Sequence, residues 1–108
     1  MIKVQFFHTD QQISGFLMRG HADSGDYGHD IVCAAVSVLA INTVNSLEQL
    51  ALAHPEVVSD DENGGYLKVT LPAEEVSEQA IQLFLNSLKL GLHDITDNYQ
   101  KYLTIEND

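Results

Sequence analysis

Residues 20–37 read Gly20-His21-Ala22-Asp23-Ser24-Gly25-Asp26-Tyr27-Gly28-His29-Asp30-Ile31-Val32-Cys33-Ala34-Ala35-Val36-Ser37. The stretch changes character midway. Up to His29 it carries glycines and little apolar content, which reads as a loop. From Ile31 it is apolar nearly all round, through Val36, Val38, Leu39, Ala40 and Ile41, which reads as a largely buried helix. Asp30 stands at the change, where an N-cap belongs. The helix is expected to run from Ile31 to about Ala53, because His54 precedes Pro55 and a residue before proline disfavours helical geometry.

On the N-terminal side, Ile2, Val4 and Phe6 alternate with Lys3, Gln5 and Phe7, the period of a strand. The polar run Thr9-Asp10-Gln11-Gln12 is a turn, and Ile13 to Arg19 returns as the second strand of a hairpin. On the C-terminal side, Val57 to Ser59 is a short strand. Asp60 to Gly65 is a turn in which Asn63, Gly64 and Gly65 supply positive φ, and Leu67, Val69 and Leu71 mark a further strand. Pro72 is expected to start a second helix, with Glu74 and Glu75 in its first turn and a stripe through Val76, Ala80, Phe84, Leu88, Ile95 and Tyr99. Gly91 is a weak point in it, and Leu85, Leu90 and Leu92 either widen its core face or form a dimer contact. Tyr102 to Ile105 is a last short strand or a helix tail. The order ββαββα implies an α+β two-layer sandwich, a mainly antiparallel sheet with both helices on one face.

A chain of 108 residues is expected to form one domain, residues 1–108, with enough buried surface to fold without a metal or disulfide. Its lone cysteine gives no sign of an oxidising compartment. The N-terminus lacks the form of a signal peptide, and no uninterrupted run reaches the roughly 18 apolar residues of a membrane span, so the expectation is a soluble cytoplasmic protein. The net charge of −11, from 16 acidic and 5 basic residues, argues against a phosphate-binding track and is compatible with a basic protein or peptide partner, or with solubility alone.

The chemistry is sought in the central run. Cys33 would sit at the third helical position if Asp30 caps, where free amides and the dipole favour a thiolate. Taken alone it is equally a small core residue among Ala and Val. His21, at a strand end, is the better-mounted general base; alone it would be a turn residue. His29 reads as a surface residue, as do His8, His54 and His93. Asp30 caps the helix or orients His21. Asp23 and Asp26 face water. Ser37 shares a helical face with Cys33. Gly25 and Gly28 permit positive φ and a movable loop over the thiol. No ligand pair has zinc spacing, and no cofactor is expected.

Gly20-His21-Ala22, Gly28-His29-Asp30 and Ile31-Val32-Cys33-Ala34-Ala35-Val36-Ser37 together resemble the signature of the Prp family, the bacterial ribosomal-processing cysteine proteases. Chain length, the two-helix order, Asn42 to Asn45 and the Asn63-Gly64-Gly65 turn also fit, so the resemblance spans essentially the whole chain. It implies an endopeptidase that removes the N-terminal extension of large-subunit ribosomal protein twenty-seven in Firmicutes and related bacteria. It also implies Cys33 as nucleophile, His21 as its histidine, Asp30 and Ser37 in support, a mobile glycine-containing loop, and a homodimer. The competing readings are a non-catalytic ribosome-associated binding module and a thiol-dependent acyltransferase or esterase.

Overall fold

The computed structural model describes residues 1–21 and 25–106. Strands β1 (Ile2–Thr9) and β2 (Gln12–Arg19) form the expected hairpin. Its two-residue turn places Asp10 at φ 51 and Gln11 at φ 70, the twist that suits a tight hairpin. Pairing steps from Phe7↔Gly15 to His8↔Ile13, leaving Ser14 as the extra residue of a bulge. The bulge resets the phase of β2, so Ile13 is buried although Phe16 and Met18, of opposite parity, are buried too.

Helix α1 (Tyr27–Gln49) follows, then β3 (Glu56–Asp60), β4 (Tyr66–Thr70), helix α2 (Gln79–Asn98) and β5 (Leu103–Glu106). The sheet order is β3-β4-β2-β1-β5. All pairs are antiparallel except β1 with β5, which makes the sheet mixed and resolves the Tyr102–Ile105 segment as a strand. The α+β sandwich stands as expected. One apolar cluster joins Ile2, Val4 and Phe6 of β1 and Phe16 and Met18 of β2 to Val32, Val36, Ala40 and Leu47 of α1 and Ile81, Leu85, Leu88 and Leu92 of α2. Each such large side chain taken fully out of water stabilises the fold by about 2 kcal/mol.

Four expectations change. First, α1 is capped by Asp26, not Asp30. The Asp26 carboxylate accepts the His29 backbone N–H at 2.8 Å, and the helix begins before Gly28. Second, α1 ends at Gln49. Leu52 turns left-handed at φ 54 and the Ala53 N–H returns to the Leu47 carbonyl at 2.8 Å, so chain reversal ends the helix ahead of Pro55. By length and composition α1 also passes for a membrane span, which the count of uninterrupted apolar residues passed over. Third, Pro72 opens only a 3₁₀ turn, Ala73–Glu75. Fourth, the apolar stripe of α2 runs through Ile81, Leu85, Leu88 and Leu92, while Ala80 and Leu90 are exposed. Gly91 lies where α2 crosses α1: a Cβ there would stand 3.0 Å from Leu39 Cδ1.

His54 is exposed, as expected, but partnered. Glu75 accepts its backbone N–H at 2.8 Å and lies 2.7 Å from its Nδ1, tying the α1–β3 connection to the 3₁₀ turn. The hydrogen bond with Glu75 raises the His54 pKa above its ordinary 6.5, and the same bond lowers that of Glu75 below 4.5. The His54 contribution is complete below pH 6.5 and disappears as pH rises through the raised value. The Glu75 contribution is complete above pH 4.5 and disappears as pH falls through the lowered one. His54→Gln should therefore destabilise most between these two values and least under alkaline conditions. Thermal melts of both proteins across pH would show a constant gap if the ion pair contributes nothing.

Candidate active site

Cys33 lies one full turn further into α1 than expected. With Tyr27 as the first helical residue it is the seventh, inside the hydrogen-bonded ladder. The free amides of the helix start are taken up before it: the His29 N–H goes to the Asp26 side chain and the Asp30 N–H to the Asp26 carbonyl at 3.0 Å. The free amides of the helix start therefore lie about a turn before Cys33 and do not favour its thiolate in the way the sequence suggested.

The thiol meets other groups. Its flanking residues Val32 and Val36 are fully buried, and Cys33 itself is 7% exposed. Sγ contacts the Gly20 carbonyl oxygen at 3.7 Å. Gly20 sits at φ 84, and a Cβ there would fall 2.6 Å from the Met1 carbonyl oxygen, so only glycine brings the end of β2 this close to the helix. His29, one turn before Cys33, is not the surface residue expected. It is 8% exposed, with Nδ1 at 3.5 Å and Nε2 at 3.8 Å from Sγ. Had Tyr27 been taken as the helix start, the i, i+4 spacing would have put both side chains on one face.

His21 follows Gly20 directly. It is half-buried, with its Nδ1 shielded from solvent. Together with Ser37 it lines a cleft of about 610 Å³ between α1 and the β3–β4 edge, whose walls include Met18, Ala40, Ile41, Val44, Val57 and Leu67, with Asn45, Ser59 and Asp61 at polar positions. A second depression of about 830 Å³, against the β1–β2 hairpin and α2, contains neither Cys33 nor His21.

The remaining residues singled out from the sequence take other positions. Asp30 is exposed; its Oδ1 accepts the Gly25 N–H at 3.1 Å and stands 4.0 Å from His29 Nδ1. Asp26 is exposed but caps α1, and Asp23 lies outside the described residues. Gly25 and Gly28 do not adopt positive φ. They serve by lacking a side chain: a Cβ on Gly25 would come within 2.9 Å of the His29 ring, and one on Gly28 within 2.8 Å of the Tyr102 hydroxyl. Gly28 belongs to the first turn of α1 rather than to the loop.

A lone thiol against an imidazole, a few residues from an open cleft, is the layout of a cysteine-dependent enzyme. Residues 1–104 match the family model described as cysteine protease Prp. Over 106 residues the chain is 32% identical to the ribosomal processing cysteine protease Prp of Staphylococcus aureus, covering 97% of each. Among solved structures, SMU.848 from Streptococcus mutans matches with a TM-score of 0.93 and 36% identity, over 98% of this chain and 92% of that one. The Staphylococcus aureus protease in complex with a covalently linked product peptide matches with a TM-score of 0.85 and 31% identity, over 98% of both chains. The protein is a cysteine protease. It belongs to the Prp family of ribosomal processing cysteine proteases.

Proposed function

We propose that this protease removes the N-terminal extension of large-subunit ribosomal protein twenty-seven, in the cytoplasm, with Cys33 as nucleophile and His21 as general base. The observation that carries the reading is the position of the chain's one thiol, 3.7 Å from the carbonyl of Gly20, the residue that directly precedes His21 at the cleft wall. The contact with His29 is of another kind. Sγ is almost equidistant from both nitrogens of that ring, so it faces the ring's corner or plane and lies on neither lone pair.

His21 takes the thiol proton, and Sγ forms a bond to the scissile carbonyl carbon. On collapse the C–N bond breaks and the imidazolium returns the proton to the leaving amine. Water, deprotonated by the same imidazole, then attacks the thioester, and the thiol leaves with its proton restored. Ser37, at the cleft wall one helical turn after Cys33, and Asp30, in the first turn of α1, support the site. The excess of 16 acidic over 5 basic residues favours encounter with a basic ribosomal protein. The protease acts as a homodimer, for which the exposed apolar residues Ile31, Val38 and Ile41 on α1 provide a face.

Purified protein incubated with the full-length precursor under reducing conditions should yield a single N-terminal cut by mass spectrometry. In sedimentation it should run at twice the chain mass of 11.9 kDa. An intact precursor in the presence of folded protein would refute the substrate, and a monomer at working concentration would refute the dimer.

A further inference from the structure

We infer that Tyr102 is a positioning residue for the nucleophile, acting on Cys33 through Asp26 and His29; the inference rests on the proposed role of Cys33. Tyr102 lies immediately before β5, and its backbone is fixed at the sheet edge: its carbonyl accepts the Ile2 N–H at 2.8 Å and its N–H goes to Tyr99 O at 3.0 Å. From this anchor the side chain crosses to the first turn of α1. Its hydroxyl donates to Asp26 Oδ2 at 3.3 Å, while Asp26 Oδ1 holds the His29 backbone N–H. Its ring meets the His29 ring edge to face, with centroids 6.0 Å apart and planes at 77°. Gly28 leaves room for it, since any Cβ there would strike the hydroxyl.

One tyrosine thus engages His29 twice, at the backbone through the cap and at the ring directly. The His29 ring in turn covers Sγ at 3.5 Å. The electrostatics agree. The His29 backbone N–H, aided by the Tyr102 hydroxyl, holds the Asp26 carboxyl below its ordinary value, which keeps it an acceptor. Burial, and then the hydrogen bond to Asp26, raise the Tyr102 phenol, which keeps it a donor. Among the described residues, Asp30 and Lys101 are charged groups near this cluster, the first beside His29 Nδ1 and the second with Nζ 5.6 Å from the Tyr102 ring centroid. Between the buried Val32 and Val36, a polar ring on the sulfur offsets part of the cost of charging it that apolar neighbours alone would impose, so freeing the ring makes the thiol less reactive at neutral pH.

The test is the rate of Cys33 alkylation by iodoacetamide against pH for the native protein, Tyr102→Ala, His29→Ala and the double variant. Tyr102→Ala should lower the rate at pH 7 by about threefold to tenfold and move the half-maximal pH upward. The double variant should behave like His29→Ala alone, because the proposed route from Tyr102 to the thiol runs through His29. Additive losses, or an unshifted Tyr102→Ala, would overturn the inference. If Tyr102→Ala does not fold, the same cycle with Tyr102→Phe decides: an upward shift absent in the His29→Ala background sustains it, and no shift overturns it. Cleavage of the precursor by the native protein, run alongside, separates failure of this inference from failure of the proposed function.

Discussion

Cys33→Ala should stop cleavage altogether, with single-turnover rates on the precursor falling by at least about 10³-fold. No other side chain can take over, because the chain has one cysteine and covalent catalysis needs a polarisable thiolate at this position. The loss should be chemical, not conformational. Removing one sulfur from a site flanked by Val32 and Val36 leaves a small void costing about 1 kcal/mol, well within the stability of a domain this size. The variant should therefore melt cooperatively only a few degrees lower and still bind the precursor. Cys33→Ser, which keeps the shape but replaces the thiol with a hydroxyl of far higher pKa, should be equally inactive. Thermal melts and mass spectrometry of the products check both. Cutting by a folded Cys33→Ala would remove Cys33 from the mechanism.

The sequence reveals elements whose signal is local. Alternation in Ile2–Phe6 and Leu67–Leu71 marks strands because one sheet face is buried and its neighbour is not. Asn63, Gly64 and Gly65 do take positive φ, at 53, 87 and 95. The start of α1 is misread because two acids, Asp26 and Asp30, precede the apolar run, and glycine at 28 argues against helix. What decides between them is tertiary: Tyr102, distant in sequence, occupies the space above Gly28 and bonds the capping acid. The Pro72 segment fails for a similar reason. Glu74 and Glu75 look like first-turn acids, yet Glu75 is committed to His54 across the fold.

The chemical run fares better, because residues close in sequence converge there. Cys33 and His29 lie one helical turn apart, and Gly20 brings His21 to the same helix. What escapes a linear reading is which histidine touches the sulfur. The four-residue spacing has meaning only once the helix is known to include both, and that in turn depends on the cap. Tyr102 carries no local signal at all. Its approach follows from the parallel pairing of β5 with β1, a contact between the two ends of the chain.

The pair His21→Ala and His29→Ala separates the two imidazoles, and the expected results diverge widely. His21→Ala removes the proposed proton acceptor, and cleavage at pH 7 should fall by about 10²- to 10⁴-fold. Activity should return in part toward alkaline pH, as the thiol loses its proton to solvent. His29→Ala leaves that acceptor in place. It removes a ring that faces Sγ without offering it a lone pair, so cleavage should fall by no more than about tenfold, with a profile displaced rather than rising steadily. The argument is geometric. A general base must reach the proton along one nitrogen's lone pair, and near-equal distances of 3.5 and 3.8 Å to two nitrogens of one ring are incompatible with that alignment. pH–rate profiles for both variants on the same precursor decide the matter. If His29→Ala shows the deep loss and the alkaline recovery while His21→Ala stays active, the base is His29, and its ring must turn onto the sulfur when substrate binds.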